Sequence, residues 1–217
     1  MIIPLLVKYG KLTFLSAQLE KPTGRFGRYI TSKLLDKANN DLHQFCLEQM
    51  EIQEDHQLLD IGFGSGQMIA MMVKRLKSGK VTGIDFSKEM VRCAQKINSK
   101  KIKEGKVQID HGDLGHLPYR DSRFDGVYTG NTIYFWSSPK KNAAEIMRVI
   151  RPGGKLFIAF RPKSFMENLP VVDQRFKLYA EDDIRELFAS IGFKNIQFEK
   201  QLSAEGLVDC CAIILKY

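Results

Sequence analysis

The period of the apolar positions changes along the chain, and those changes mark out its elements. Within residues 31–50, Leu34, Leu35, Ala38, Leu42, Phe45 and Cys46 recur at helical spacing and predict an amphipathic helix. Residues 57–61 form a short apolar run that enters glycines, the pattern of a buried strand. Residues 67–76 return to a helical period, with Met68, Ile69, Met71, Met72 and Val73 on the inward side. The alternation continues with strands over 80–85, 107–110, 124–128 and 155–160 and helices over 88–100 and 140–150. Arg151-Pro152-Gly153-Gly154 stops the last of these helices, because proline lacks a backbone donor and the glycines turn the chain. Strands alternating with helices imply a doubly wound α/β fold, a mostly parallel sheet with helices on both faces.

The last part of the chain breaks this rhythm. A helix over 181–190 ends at Gly192 and leads to strands over 195–199 and 206–215. The gap between those two strands is too short for a crossover helix, so they must pair antiparallel. The expectation is a seven-stranded sheet with one antiparallel strand near its edge. Residues 1–22 give no element, and Thr23-Gly24-Arg25-Phe26-Gly27-Arg28 reads as a loop. Residues 1–40 are therefore an N-terminal segment and helix, a candidate lid, and residues 41–217 are the main domain.

Leu58-Leu59-Asp60-Ile61-Gly62-Phe63-Gly64-Ser65-Gly66 is a strand, a glycine turn and a helix start. Missing β-carbons let such a turn approach a ligand closely, at the strand ends where α/β sheets bind ligands. Spacing separates two readings of the turn. A dinucleotide fingerprint needs Gly or Ala three positions after the second glycine, and here that position is Gln67. A nicotinamide-dependent oxidoreductase therefore ranks last. Asp60 sits in an apolar strand, where a carboxylate needs compensation from the turn amides or from a ligand's positive group.

The pattern Asp60-x-Gly62-x-Gly64-x-Gly66 resembles the first motif of the class I, Rossmann-like, S-adenosylmethionine-dependent methyltransferases. The resemblance covers about residues 40 to 217 and is closest to their small-molecule, type 11-like branch. It implies that Asp85, in Gly83-Ile84-Asp85-Phe86-Ser87, holds both ribose hydroxyls of the cofactor. One carboxylate can accept two hydrogen bonds from a diol. It implies that Phe86 or Met90 flanks adenine, that Asp113 takes the adenine amino group unless it caps its own loop, and that Leu114 packs beside the ring. It also places Asn131 at the methionine end. Phe124-Asp125-Gly126-Val127-Tyr128 and Arg148-Val149-Ile150-Arg151-Pro152-Gly153-Gly154 are similar to the family's fourth strand and its entry to the fifth. The cofactor implied is S-adenosylmethionine, with S-adenosylhomocysteine as product.

Asn131-Thr132-Ile133-Tyr134-Phe135-Trp136 lacks the two prolines that hold a target amine in amino-methylating nucleic-acid enzymes. Tyr134 and Trp136 either line a substrate pocket or stack on the core. Tyr134 and His116 are the candidate catalytic groups, although His111 and His116 read first as ordinary loop histidines. Arg25 and Arg28 either close over the site or are solvated. Residues 161–178 form an insertion expected to shape the substrate pocket, with Glu167, Arg175 and Tyr179 as candidates to project there.

Composition narrows the picture. The four cysteines have no Cys-x-x-Cys pair and the four histidines no metal-ligand spacing, so buried thiols and no metal are expected. No apolar run approaches the ~20 residues that span a bilayer, and the apolar start lacks a signal peptide's basic region, so a cytoplasmic protein is expected. The net charge of +8 raises nucleic acid as a partner. However, Lys74, Arg75, Lys77 and Lys80, and Lys96, Lys100, Lys101, Lys103 and Lys106, cluster at predicted helix ends away from the strand-end crevice. The leading expectation is methyl transfer to a small-molecule acceptor. The alternatives are an RNA or protein methyltransferase and a non-catalytic cofactor-binding regulator.

Overall fold

The computed structural model describes residues 12–24, 36–193, 195–203 and 206–216. Leu34 and Leu35 of the predicted first helix, and Arg25 and Arg28 of the predicted loop, lie outside them. The helices are α1 (Leu12–Glu20), α2 (Asp36–Gln49), α3 (Gln67–Met72), α4 (Lys88–Ile97), α5 (Ser99–Lys103), α6 (Pro139–Val149), α7 (Lys163–Met166) and α8 (Glu181–Ala189). The strands are β1 (Gln57–Ile61), β2 (Lys80–Asp85), β3 (Val107–His111), β4 (Phe124–Gly130), β5 (Ile150–Phe160), β6 (Asn195–Leu202) and β7 (Val208–Leu215).

The seven strands form one sheet in the order β3-β2-β1-β4-β5-β7-β6. The first five run parallel, while β7 is antiparallel to both β5 and β6. The predicted architecture is the one observed. Period-2 alternation divides the strand residues between two cores. Leu59, Ile61 and Val127 pack against α6 and α8, whereas Leu58, Val81, Tyr128 and Phe157 pack against α2, α3 and α4. Each such side chain taken out of water contributes roughly 1.5–3 kcal/mol. The chain leaves β1 for β2 and β3 on one side and returns to β4 on the other. The C-terminal ends of β1 and β4 therefore diverge at a topological switch point.

Three elements depart from the periodicity. The helix expected over 88–100 ends at Ile97, because buried Asn98 turns its amide back. That amide donates to Ala94 O at 3.1 Å and to Gly66 O at 3.0 Å, tying the helix end to the glycine turn. α3 tightens into a 3-10 turn over Val73–Arg75. α1 was not legible, because its partners are remote in sequence. Leu15 packs on Val171, and Ser16 Oγ donates to Val171 O at 2.6 Å.

β5 and β7 are also fastened by charge. Arg161, just past β5, faces Asp209 of β7 with Nε 3.2 Å from Oδ1; the Asp209 side chain is fully buried and that of Arg161 is 11% exposed. The same guanidinium donates to Asn39 Oδ1 at 3.1 Å and Ala38 O at 3.0 Å, anchoring the first turn of α2. Removing one partner of a buried pair leaves the other charge uncompensated. Arg161→Met is expected to lower unfolding stability by about 3–5 kcal/mol, measured by urea denaturation. The double variant Arg161→Met/Asp209→Leu should recover most of that loss.

Candidate functional site

A cleft of about 260 Å³ opens at the switch point. Its floor is the turn between β1 and α3. Gly62 has φ of +68°, and a β-carbon on it would stand 2.5 Å from Thr132 Cγ2, so the turn accepts no side chain there. Gly66 has φ of +86° and packs on α4, where a β-carbon would meet Ala94 Cβ at 2.7 Å. Gly62, Gly64, Asp85, Phe86, Met90, Asp113, Leu114 and Asn131 all line the cleft. Gly66 and Asp60 lie behind its surface and are not among the lining residues.

Asp85 ties the strand ends together. Its Oδ2 accepts from the Gly64 amide at 3.0 Å and its Oδ1 from the Ser87 amide at 2.8 Å. Each carboxylate oxygen keeps a further lone pair for a ligand. Burial, the largest influence, raises the Asp85 pKa to about 6 against the lowering by those two amides. Asp60 is buried, and its Oδ2 has no hydrogen-bond partner. Burial first, then the charge of Asp85, pushes its carboxyl well above the usual range. The turn amides do not compensate Asp60 at that oxygen, since the Gly64 amide is spent on Asp85. An unpaired buried acceptor beneath a glycine cradle suits a ligand that carries positive charge.

Asp113 Oδ1 accepts from the Gly115 amide at 2.6 Å, so it does cap its own loop. Asn131 adopts φ of +54°, its amide bonded to Ala159 O at 2.8 Å and its Nδ2 to Asn39 Oδ1 at 3.1 Å. Phe135 and Trp136 line the cleft, and the indole Nε1 donates to Thr132 Oγ1 at 3.2 Å.

The two catalytic candidates are not brought to the cleft. Tyr134 is buried, accepts from Arg161 N at 2.6 Å and donates to Arg161 O at 3.1 Å. Its hydroxyl is a strut between strand ends, and burial raises its pKa, which suits it poorly as a base. His116 is exposed outside the lining, and His111 turns its Nε2 to Phe86 O at 3.1 Å. Glu167, Arg175 and Tyr179 do not line the cleft either. The 161–178 segment instead supports α1, whose Leu19 and Glu20, with Pro22 beyond, form part of the cleft wall. Pro22 O accepts from Ser87 Oγ at 3.0 Å, which pins this wall beside Asp85.

The sequence reading missed a polar stripe on α2. Asp36, Asn39 and His43, at i, i+3 and i+7, share a helix face and line the cleft. Burial and then the charge of Arg161 lower the His43 pKa to about 4, which keeps the ring neutral. His43 Nδ1 lies 2.8 Å from the Tyr128 hydroxyl. Asp36 Oδ1 accepts from Ser65 Oγ at 2.7 Å, and burial raises its pKa. The signal was present as polar positions opposite Leu42, Phe45 and Cys46, but such a face ordinarily meets solvent.

Sheet order, glycine turn and the acidic ends of β1 and β2 together define a class I methyltransferase fold. Residues 59–158 match the family model described as a methyltransferase domain. An uncharacterized methyltransferase of Bacillus subtilis, YdaC, is 26% identical over 170 residues, covering 78% of this chain and 89% of that protein. An O-methyltransferase of Aspergillus nomiae is 27% identical over 183 residues, covering 80% of each chain. The crystal structure of a SAM-dependent methyltransferase from Aquifex aeolicus superposes with a TM-score of 0.70 at 22% identity, covering 87% of this chain and 98% of that one. The domain match, the methyltransferase relatives and the shared fold together support an S-adenosylmethionine-dependent methyltransferase of class I.

The raised pKa of Asp85 has a signed consequence for the unliganded fold. Its folded-state value lies above its unfolded one, so the folded chain binds this proton more readily, and this group favours folding more as pH falls. The stability difference between wild type and Asp85→Asn is expected to change by about 1 kcal/mol between about pH 7 and pH 5, with wild type gaining at the lower pH. Parallel pH profiles of the two proteins in urea denaturation would contradict it.

Proposed function

We propose that this protein binds S-adenosylmethionine in the strand-end cleft and transfers its methyl group to a small-molecule acceptor. The observation that carries this reading is the convergence of three features at one switch point. These are the Gly62–Gly66 turn, the Asp85 carboxylate with free lone pairs, and the orphaned Asp60 oxygen beneath them. In this reading Asp85 holds the ribose hydroxyls. Phe86, Met90 and Leu114 hold the adenine, and Asp113, with Oδ1 committed to its own loop, has only Oδ2 to offer the amino group. Asn131 meets the methionine end, and the Asp60 carboxyl lies under the positive groups.

The bound cofactor supplies an activated methyl on a sulfonium, so the chain's own task is positioning. Asn39 and Asn131, braced by Arg161, fix the strand-end side of the cleft. The end of α1 with Pro22 serves as the lid, which excludes water from the reacting atoms. No catalytic triad is required for an in-line displacement. Nucleic acid is disfavoured as acceptor, because the densest group of lysines, Lys96, Lys100, Lys101, Lys103 and Lys106, lies at the C-terminal ends of α4 and α5 and just beyond, although Lys88, Lys140 and Lys141 are exposed at the starts of α4 and α6. That dense group lies at the end of the sheet opposite the cleft.

Calorimetric titration with S-adenosylmethionine, S-adenosylhomocysteine and NAD tests the cofactor. The first two should bind and the third should not. Asp85→Ala should weaken binding of the first two by about 100-fold or more, since charge-assisted hydrogen bonds to the diol are lost. Wild-type affinity should fall as pH drops through about 6, where Asp85 becomes protonated. Binding of NAD alone would overturn the reading. Formation of S-adenosylhomocysteine with an acceptor library separates an enzyme from a cofactor-binding regulator.

A further inference from the structure

The hydrogen bonds around Asn39 run in one direction, and Arg161 sets it. A guanidinium can only donate, so the Asn39 atom that meets Arg161 Nη1 at 3.1 Å is the amide oxygen. The same oxygen lies 3.1 Å from the Asn131 side chain, which must therefore present its nitrogen there. Asn131 Oδ1 is left facing the Tyr134 hydroxyl at 3.4 Å. With its oxygen taken twice, Asn39 has only Nδ2 to turn elsewhere. Asn39 lines the cleft, and its Nδ2 has no partner among the described residues.

His43 stands one turn further along the same face of α2 and also lines the cleft. Its Nδ1 is 2.8 Å from the Tyr128 hydroxyl. Tyr128 is buried, and its hydroxyl makes no other hydrogen bond among the described residues, so its proton goes to Nδ1. The enclosure is tight: a β-carbon on Gly130 would stand 2.4 Å from that oxygen. Nδ1 therefore accepts, and the neutral ring carries its one proton on Nε2. Nε2 has no partner among the described residues either. Asp36, at the start of the same face, turns Oδ1 to Ser65 and offers no donor.

Both residues thus keep their acceptor atoms on the protein side and their donors on the cleft side. Positions i and i+4 of a helix are neighbours, ~5–6 Å apart at Cβ, so both donors can reach one group. We infer that Asn39 Nδ2 and His43 Nε2 form an uncharged two-donor seat for a ligand carboxylate. One source is the cofactor itself, whose α-carboxylate has no partner in the reading above. A carboxylate on the acceptor is the other source, held by the same chemistry. The inference rests on the methyltransferase reading and deepens it. Arg161 polarises the Asn39 amide from behind without being one of the lining residues.

The test titrates the full chain with S-adenosylhomocysteine and with its decarboxylated analogue, which keeps the amine and lacks only the carboxylate. Trp136 is the only tryptophan in the chain and lines the cleft, so its fluorescence reports binding there. Wild type is expected to prefer S-adenosylhomocysteine by about 30-fold, the scale of two hydrogen bonds to a charged group. Asn39→Asp keeps the oxygen that serves Arg161 and Asn131 and replaces only the donor, so its urea midpoint should not fall. That variant should lose the preference, with the analogue bound as well as by wild type or better. His43→Phe should weaken S-adenosylhomocysteine about 10-fold, and His43→Gln, which restores an N–H at similar reach, by about threefold or less. If both compounds bind wild type equally, the acceptor is probed next, with hydrocinnamate and phenethyl alcohol on the chain saturated with S-adenosylhomocysteine. A hydrocinnamate preference that Asn39→Asp removes assigns the seat to the acceptor. No carboxylate preference in either pair, or one that survives Asn39→Asp, overturns the inference and leaves the cofactor reading standing. Failure of S-adenosylhomocysteine to bind at all overturns that reading, and this inference with it.

Discussion

The cleft depends on one carboxylate that bonds to two turns at once. Asp85 accepts an amide from Gly64, after β1, and another from Ser87, after β2. Parallel neighbours in a sheet share hydrogen bonds along their length, but nothing in the ladder fixes the loops beyond their ends. Asp85 supplies that fixation, and Gly62 N bonded to Ile84 O at 2.8 Å adds to it. The group expected to read the ligand is therefore also the group that shapes the floor beneath it. Ser87 extends the tie, since its hydroxyl holds Pro22 and so places the wall formed by the end of α1.

A second polar assembly works on the other side of the switch point. Arg161 reaches Asp209, Asn39 and Ala38, while its backbone brackets the Tyr134 hydroxyl. Through Asn39 it also reaches Asn131, whose left-handed backbone exposes the end of β4. Residues from α2, β5, β7 and the turn after β4 thus meet in one network. Arg161 Nε and both Asp209 oxygens make no hydrogen bond within it, so that pair is held by charge rather than by a bonded geometry.

The fold was legible in the sequence because helical and strand periods alternate cleanly from residue 57 onward. The one antiparallel strand followed from a loop too short for a crossover. The glycine turn was legible because close backbone approach restricts residue choice at fixed spacing, and Asp85 and the 112–114 segment, which line the cleft beside it, were reached through the family resemblance. What escaped had no local signature. α1 is defined by contact with Val171, far along the chain. Asp36, Asn39 and His43 looked like the wet side of an amphipathic helix, and only the sheet order turns that side toward the cleft. Tyr134 illustrates the reverse error. An aromatic hydroxyl close to the motif looked chemical, yet it accepts from Arg161 N and its proton is shared between Arg161 O and Asn131 Oδ1.

The position of β7 between β5 and β6 has a consequence for the order of assembly. During synthesis β6 leaves the ribosome before β7, but it has no edge to join until β7 has docked. β5 likewise keeps one flank open, and Phe157 and Ala159 lack their neighbours Ile213 and Cys211. The nascent chain therefore carries unpaired strand edges through the last stretch of its translation, a state prone to pairing with other copies. The final hairpin must then arrive as a unit, so completion of this half of the molecule is a single late and concerted event.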